Sequence, residues 1–252
     1  MSERVKRLLF QSAIATRWLR ASRVVLHRLA RAPHEADFRA LAHPALAGGL
    51  LLDLGANIGQ SALSACKVQP SLRVLSIEAN PACEAGLRMA RRLLGGRMDY
   101  RLVGVGAQAG CLRFHVPVRN SRMLLEEGTF DATSLQSPAS VARLGREGTD
   151  YILQTIDVTL LPVDALNLSP RIVKMDLQGL ELAALQGMTA TLARCWPLLM
   201  VEVGEQHASV VAFLAERGYG RYHWDGRHLA PGGHPNALNE FFVHPGDGVL
   251  KD

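Results

Sequence analysis

Cysteine is scarce in this sequence. Cys66, Cys83, Cys111 and Cys195 are scattered through 252 residues, and no Cys-x-x-Cys pair is present. That excludes a disulfide framework and gives structural zinc no support, so a reducing, cytoplasmic setting and no metal are the expectation. Long apolar runs are also missing, as is a leader with a basic start, an apolar stretch and a cleavage site; no transmembrane segment is expected. Charge of one sign is not in great excess: 28 Lys+Arg face 23 Asp+Glu, a formal +5. So mild a bias permits an anionic partner without requiring nucleic acid, and no interleaving of aromatic and basic residues argues for one. What the chain does have is 48% hydrophobic residues. That is enough for the core of one large α/β domain and excludes wholesale disorder.

Residues 1–31 carry Arg4, Lys6, Arg7, Arg17, Arg20, Arg23, Arg28 and Arg31 against the single acid Glu3. Apolar residues recur among them at spacings near three and four, which predicts one or two amphipathic helices. Residues 1–49 are therefore read as a basic helical extension, packed on the body or capping a substrate site. The body, residues 50–252, opens with strand, glycine turn, helix, strand, acid, helix, strand. That alternation predicts a parallel sheet covered by helices on both faces. Tyr100–Val105 reads as the third strand and Cys111–Val118 as an additional one. The polar stretch Arg119–Asp150 is too long for an average α/β loop and reads as an insertion at about 119–150. Ile152–Leu161 and Ile172–Met175 read as strands, Leu180–Leu192 as one helix, Pro197–Val203 as a buried strand and His207–Arg217 as a helix. Tyr219–His223 and Glu240–His244 read as two last strands around a Pro/Gly-rich loop.

Three constellations carry chemistry. In Asp53-Leu54-Gly55-Ala56-Asn57-Ile58-Gly59 a strand delivers the chain to a tight turn, where glycine allows unusual dihedrals and close approach of a ligand. Glu78 ends the next strand, placed to accept hydrogen bonds from ribose hydroxyls. Together they point to a nucleoside-containing cofactor. Asp53 is a poor neighbour for a dinucleotide pyrophosphate and a good one for an ammonium group, which favours S-adenosylmethionine over NAD. The second constellation is Lys174 and Asp176, on one side of a strand by the two-residue period, with Glu181 opening the next helix. The third is Glu202, Glu205 and His207 at the end of the neighbouring strand. Glu202 needs a partner if buried, and His207 could act as a general base.

These stretches resemble the FkbM family of S-adenosylmethionine-dependent methyltransferases, through LDLGANIGQS (52–61), IEANP (77–81), VGVGAQAG (103–110), VKMDLQGLELAALQG (173–187), LMVEV (199–203) and NEFFVH (239–244). The resemblance implies a class I methyltransferase fold, a seven-stranded, mostly parallel Rossmann-like sheet ending in an antiparallel hairpin. It implies an O-methyltransferase acting on a hydroxyl of a small molecule, glycan or secondary metabolite. Carried over residue by residue, Asp53, Gly55, Asn57 and Gly59 would approach the methionine moiety, Glu78 the ribose, and the stretch Gly104–Ala107, with Gly106, the adenine end; Ala79 is also counted as cofactor-binding. Asp176 and Lys174 would border the methyl-transfer point, and the base could be Asp176, Lys174 or His207. A homo-oligomer is compatible with this reading. The other function classes weighed are an RNA or protein methyltransferase and a non-catalytic binding protein.

Overall fold

The computed structural model describes residues 21–119, 122–123 and 152–249. The first twenty residues and nearly all of the 119–150 stretch, with the cap and insertion expected there, lie outside the described residues. Leu50–Leu54 (β1), Arg73–Glu78 (β2), Met98–Leu102 (β3), Ile172–Met175 (β8) and Leu198–Glu202 (β9) run parallel, in the order β3-β2-β1-β8-β9. Asn239–Val243 (β12) adds antiparallel to β9, and Gly220–Trp224 (β10) to β12, giving the expected terminal hairpin. The loop between those two strands supplies an eighth, Leu229–Pro231 (β11), so the sheet is one strand wider than expected. The strand order reverses between β1 and β8, where open α/β sheets form a ligand crevice at their carboxyl ends.

The short strands are apolar because both faces are covered. Gln60–Val68 (α1) and Glu84–Leu94 (α2) pack on one face. Glu181–Gln186 (α3), Thr189–Cys195 (α4) and His207–Ala215 (α5) pack on the other. In α2 the buried residues are Gly86, Leu87, Ala90 and Leu94, a three- and four-residue stripe. Arg91 and Arg92 occupy its last turn, where cations complement the helix dipole, and Gly95 at φ 62° ends it. Residues 21–49, read above as an extension, share the first core: Val24, Phe38, Leu41 and Leu46 are fully buried with Leu51, Ile172 and Phe241. Each such side chain contributes about 1.5–3 kcal/mol of burial. Lys67 holds this segment from α1, its Nζ donating to the carbonyls of His27 and Ala32 at 3.0 Å.

Two elements depart from the sequence reading. Tyr100–Val105 is not one strand. The chain leaves the main sheet after Leu102, and Gly104–Val105 (β4) joins a second sheet with Gly110–Arg119 (β5), Arg122–Met123 (β6) and Ile152–Leu161 (β7), in the order β4-β7-β5-β6. Phe114, Val116, Val158 and Leu160 form its core, against which Ala79 packs. The helix expected over Leu180–Leu192 is broken into α3 and α4. Gly187 lies so close to the Gly106 carbonyl that a Cβ there would sit 2.1 Å from its oxygen. Asp164 serves the new helix start, accepting the N–H groups of Ala190 and Thr191 at 2.9 and 2.8 Å.

Candidate functional site

The register across the sheet builds the site. Asp53 stands beside Ser76 on β2 and Lys174 on β8; Lys174 stands beside Met200 on β9; Glu202 stands beside Asn239 on β12. All lie on the sheet face whose other members, Leu51, Val74, Ile172, Leu198 and Phe241, are core. One face thus turns from apolar to polar at the carboxyl ends of the parallel strands. Asp53 is fully buried: its Oδ2 accepts the Ser76 hydroxyl at 2.9 Å, and its Oδ1 has no hydrogen-bond partner among the described residues. The buried Lys174 donates to Asp176 Oδ2 at 3.1 Å. Gln178, at φ +52°, donates its Nε2 to Asp176 Oδ1 at 2.8 Å and to Glu202 Oε2 at 3.3 Å. Asn239 Nδ2 donates to Glu35 Oε2 and Asp37 Oδ2 at 2.9 and 3.1 Å, which brings the 33–43 segment to the same end of the sheet.

The charges interlock. Burial opposes the ammonium of Lys174, but Asp176, Asp53 and Glu35 outweigh it and raise its pKa, so Lys174 stays charged. Burial also opposes the Asp176 carboxylate, and there Lys174 outweighs it and draws the pKa well below the usual carboxylate range. Glu202 goes the other way. Burial, then the hydrogen bond and charge of Asp176, hold its carboxyl above that range. Burial likewise raises Asp53.

The glycine turn and Glu78 form one unit. The N–H groups of Gly55 and Ala56 both donate to the Ile77 carbonyl, at 2.9 and 3.1 Å. Glu78 accepts the N–H of Asn57 on one oxygen and that of Asn80 on the other, each at 2.7 Å. Burial pushes its carboxyl up to about 7 against the pull of those two bonds. Gly55 (φ +80°) and Gly59 (φ +93°) take the left-handed conformations the turn requires. Gly55 also meets the loop after β8, since a Cβ there would lie 1.7 Å from the Asp176 oxygen. Gly106 sits at the junction of the two sheets, its N–H bonded to the Leu161 carbonyl at 3.2 Å.

The structure therefore gathers Asp53, Gly55, Asn57, Gly59, Glu78 and Ala79 along one turn and places Lys174 and Asp176 against it. His207 is not brought to this group. Its Nε2 bonds Glu240 Oε2 at 2.7 Å, and Glu240, one residue along from Asn239 and beside Val201, faces the opposite side of the sheet. Glu205 is exposed. Glu181 holds its own loop, accepting the N–H of Leu177 at 2.8 Å and of Gly179 at 3.1 Å. The sequence reading missed Glu35, Gln178 and Asn239. Gln178 and Asn239 stand in stretches singled out above, VKMDLQGLELAALQG and NEFFVH, but without a role; Glu35 left no trace.

Among the described residues no group of three or more His, Cys, Asp or Glu side chains is arranged to hold a metal ion, and no helix is long and apolar enough to cross a membrane. The family model described as "Methyltransferase FkbM domain" matches residues 53–220. No curated protein matches the chain. Among solved structures, the methyltransferase FkbM from Methylobacillus flagellatus KT is similar at 17% identity with a TM-score of 0.50. The match covers 77% of this chain and 43% of that one, so this chain spans less than half of that protein's length. The precorrin-6y C5,15-methyltransferase from Geobacter metallireducens GS-15 is similar at 14% identity, TM-score 0.41, over 81% of this chain and 84% of that one. A methyltransferase from Geobacter sulfurreducens is similar at 14% identity, TM-score 0.41, over 97% of each.

Proposed function

The chain belongs to the FkbM methyltransferase family, whose members are S-adenosylmethionine-dependent enzymes, and on that premise we propose that it methylates a hydroxyl oxygen of a small molecule or glycan. The residues present fit the cofactor. It carries an ammonium and a sulfonium charge against one carboxylate, and among the described residues the carboxyl ends of the strands hold Asp53, Asp176 and Glu202 beside the cation Lys174, with a buried Asp53 oxygen that has no hydrogen-bond partner. The 53–59 turn would hold the methionine end, Glu78 and Ala79 the ribose, and the stretch around Gly106 the adenine. The bound cofactor supplies an activated methyl group, which leaves the protein two tasks: in-line placement of the acceptor oxygen and removal of its proton.

The observation that carries the reading is Asp176, about one-third exposed at the open end of β8 and anchored by a buried lysine. A carboxylate so fixed accepts the hydrogen bond of an alcohol and orients its lone pair. Lys174 is kept charged and so has no lone pair for a proton; it serves as a positioning residue. His207 is committed to Glu240. The cysteines among the described residues are free, which supports a reducing, cytoplasmic setting. The test is transfer of labelled methyl from S-adenosylmethionine to panels of hydroxyl, amine, RNA and protein acceptors. An ether product from the hydroxyl panel is expected; label in amines, RNA or protein alone overturns the proposal.

Glu78→Gln probes the cofactor end separately. It keeps the shape but converts one acceptor oxygen to a donor facing a backbone N–H. Affinity for S-adenosylmethionine should fall about tenfold to a hundredfold, the worth of one or two charge-assisted hydrogen bonds. Calorimetric titration of the folded variant measures it, and unchanged affinity removes Glu78 from the ribose site.

A further inference from the structure

We propose that Glu202 and Asp176 act as one proton-holding carboxyl pair, with Glu202 carrying the proton and the positive charge of the bound cofactor driving it off. The proposal rests on the methyl-transfer reading above. Three observations place the pair. Glu202 lies two residues beyond Met200, the register partner of Lys174, so it shares a face with Lys174 and Asp176. Gln178 donates one amide nitrogen to both carboxyl groups, at 2.8 and 3.3 Å. That shared donor brings the two carboxyl groups together, and like charges so placed favour the protonated form of one of them. Lys174 contacts Asp176, which assigns the negative charge to Asp176 and the shared proton to Glu202. The raised titration of Glu202 agrees with that assignment.

The surroundings make the proton sensitive to added charge. Facing the pair are Lys174 from β8, Asp53 from β1 and Glu181 from the start of α3. From the 33–43 segment come Glu35 and Asp37, gathered by Asn239 of β12, with His34 beside Glu35. One lysine and one histidine stand among many carboxyl groups. A cationic sulfonium entering this field stabilises the doubly ionised pair, and Glu202 loses its proton. In the reaction the acceptor oxygen bonds to the methyl carbon as the carbon–sulfur bond breaks, and sulfur keeps that electron pair as a neutral thioether. The hydroxyl proton passes to the pair, which goes from two negative charges to one. The charge lost at sulfur is the charge that had held the proton off, so the pair becomes a stronger base as the methyl moves.

Calorimetric titration near neutral pH, in two buffers of different ionisation enthalpy, counts protons released on binding. S-adenosylmethionine should release more than S-adenosylhomocysteine, by a difference approaching about one proton. Both ligands carry the same ribose and amino acid, so release caused by those groups cancels; Asp53 and Glu78, whose raised carboxyls also feel the sulfonium charge, are separated from Glu202 by the variant. Glu202→Gln should abolish the difference; the count is read per mole of ligand bound, so a weaker affinity leaves it readable. An equal proton count for the two ligands in the unchanged chain overturns the proposal without need of the variant, as does a difference that survives in Glu202→Gln. Failure of the methyl-transfer reading would look different: no binding heat for either ligand, or no methylated hydroxyl product.

Discussion

Asp176→Asn should lower the rate of methyl transfer by about 10²–10⁴ while leaving affinity for S-adenosylmethionine nearly intact. The replacement preserves shape, so the loop after β8 keeps its path. What is lost is the charge proposed to face the acceptor hydroxyl and the anion that Lys174 holds. The variant's stability needs measuring first, because removing one member of a buried ion pair costs about 3–5 kcal/mol when nothing replaces it. Here Asp53 and Glu35 still act on the ammonium, which favours a folded product. Single-turnover transfer at saturating cofactor and acceptor then separates the roles. A loss of rate at unchanged cofactor affinity assigns Asp176 to the acceptor. A dissociation constant rising in step with the lost rate assigns it to the cofactor's positive end. A near-normal rate eliminates Asp176 from proton handling.

Gly55→Ala should destabilise the fold by roughly 3–5 kcal/mol and abolish cofactor binding. Two penalties combine. The residue is at φ +80°, where an L side chain is strained, and the added carbon would lie 1.7 Å from the Asp176 carbonyl oxygen. Backbone meets backbone there, so no rotamer change relieves it. The loops after β1 and β8 must separate, although the Asp176 N–H is bonded to the Leu54 carbonyl at 3.1 Å. Gly179→Ala is the control: φ is +100°, but nothing lies within 4 Å of the added carbon, so only the strain remains. Denaturant midpoints should separate the two variants by a wide margin. Equal midpoints together with intact cofactor affinity in Gly55→Ala would show that the two loops do not need this contact.

Much of the architecture was legible because short strands buried on both faces announce themselves as apolar runs. Lys174 and Asp176 obey the two-residue period, and the structure pairs them. The period fails where a turn intervenes. Residues 203–206 separate Glu202 from His207, and no alternation carries across them, so proximity in sequence hid that His207 faces away with Glu240. The helix break was invisible for another reason. Leu182, Leu185, Met188 and Leu192 keep helical spacing straight through it, while the Gly106 carbonyl that Gly187 lies against at the break is 81 residues earlier by number. Val103 gave no sign that β3 and β4 belong to different sheets, since strand propensity does not encode which sheet a strand joins. Glu35 and Asn239 could not be matched at all, standing 204 residues apart.

That last separation bears on the order in which the site can come into being. The Asn57–Glu78 and Asp53–Ser76 contacts close loops of 21 and 23 residues, whereas the Asn239–Asp37 contact spans 202. A loop about tenfold longer carries about 2 kcal/mol more closure entropy, and nothing repays it until the intervening strands have docked. During synthesis the turn proposed to hold the cofactor can form its bonds to Ser76, Ile77 and Glu78 once Asn80 is free to fold, and it meets the loop after β8 only later. The Asp176–Glu202 pair must wait for β8 and β9, and Asn239 can join Glu35 and Asp37 only when the chain is almost finished. The end of the site proposed to face the acceptor is thus assembled last, after the local hydrogen bonds of the turn proposed to hold the cofactor.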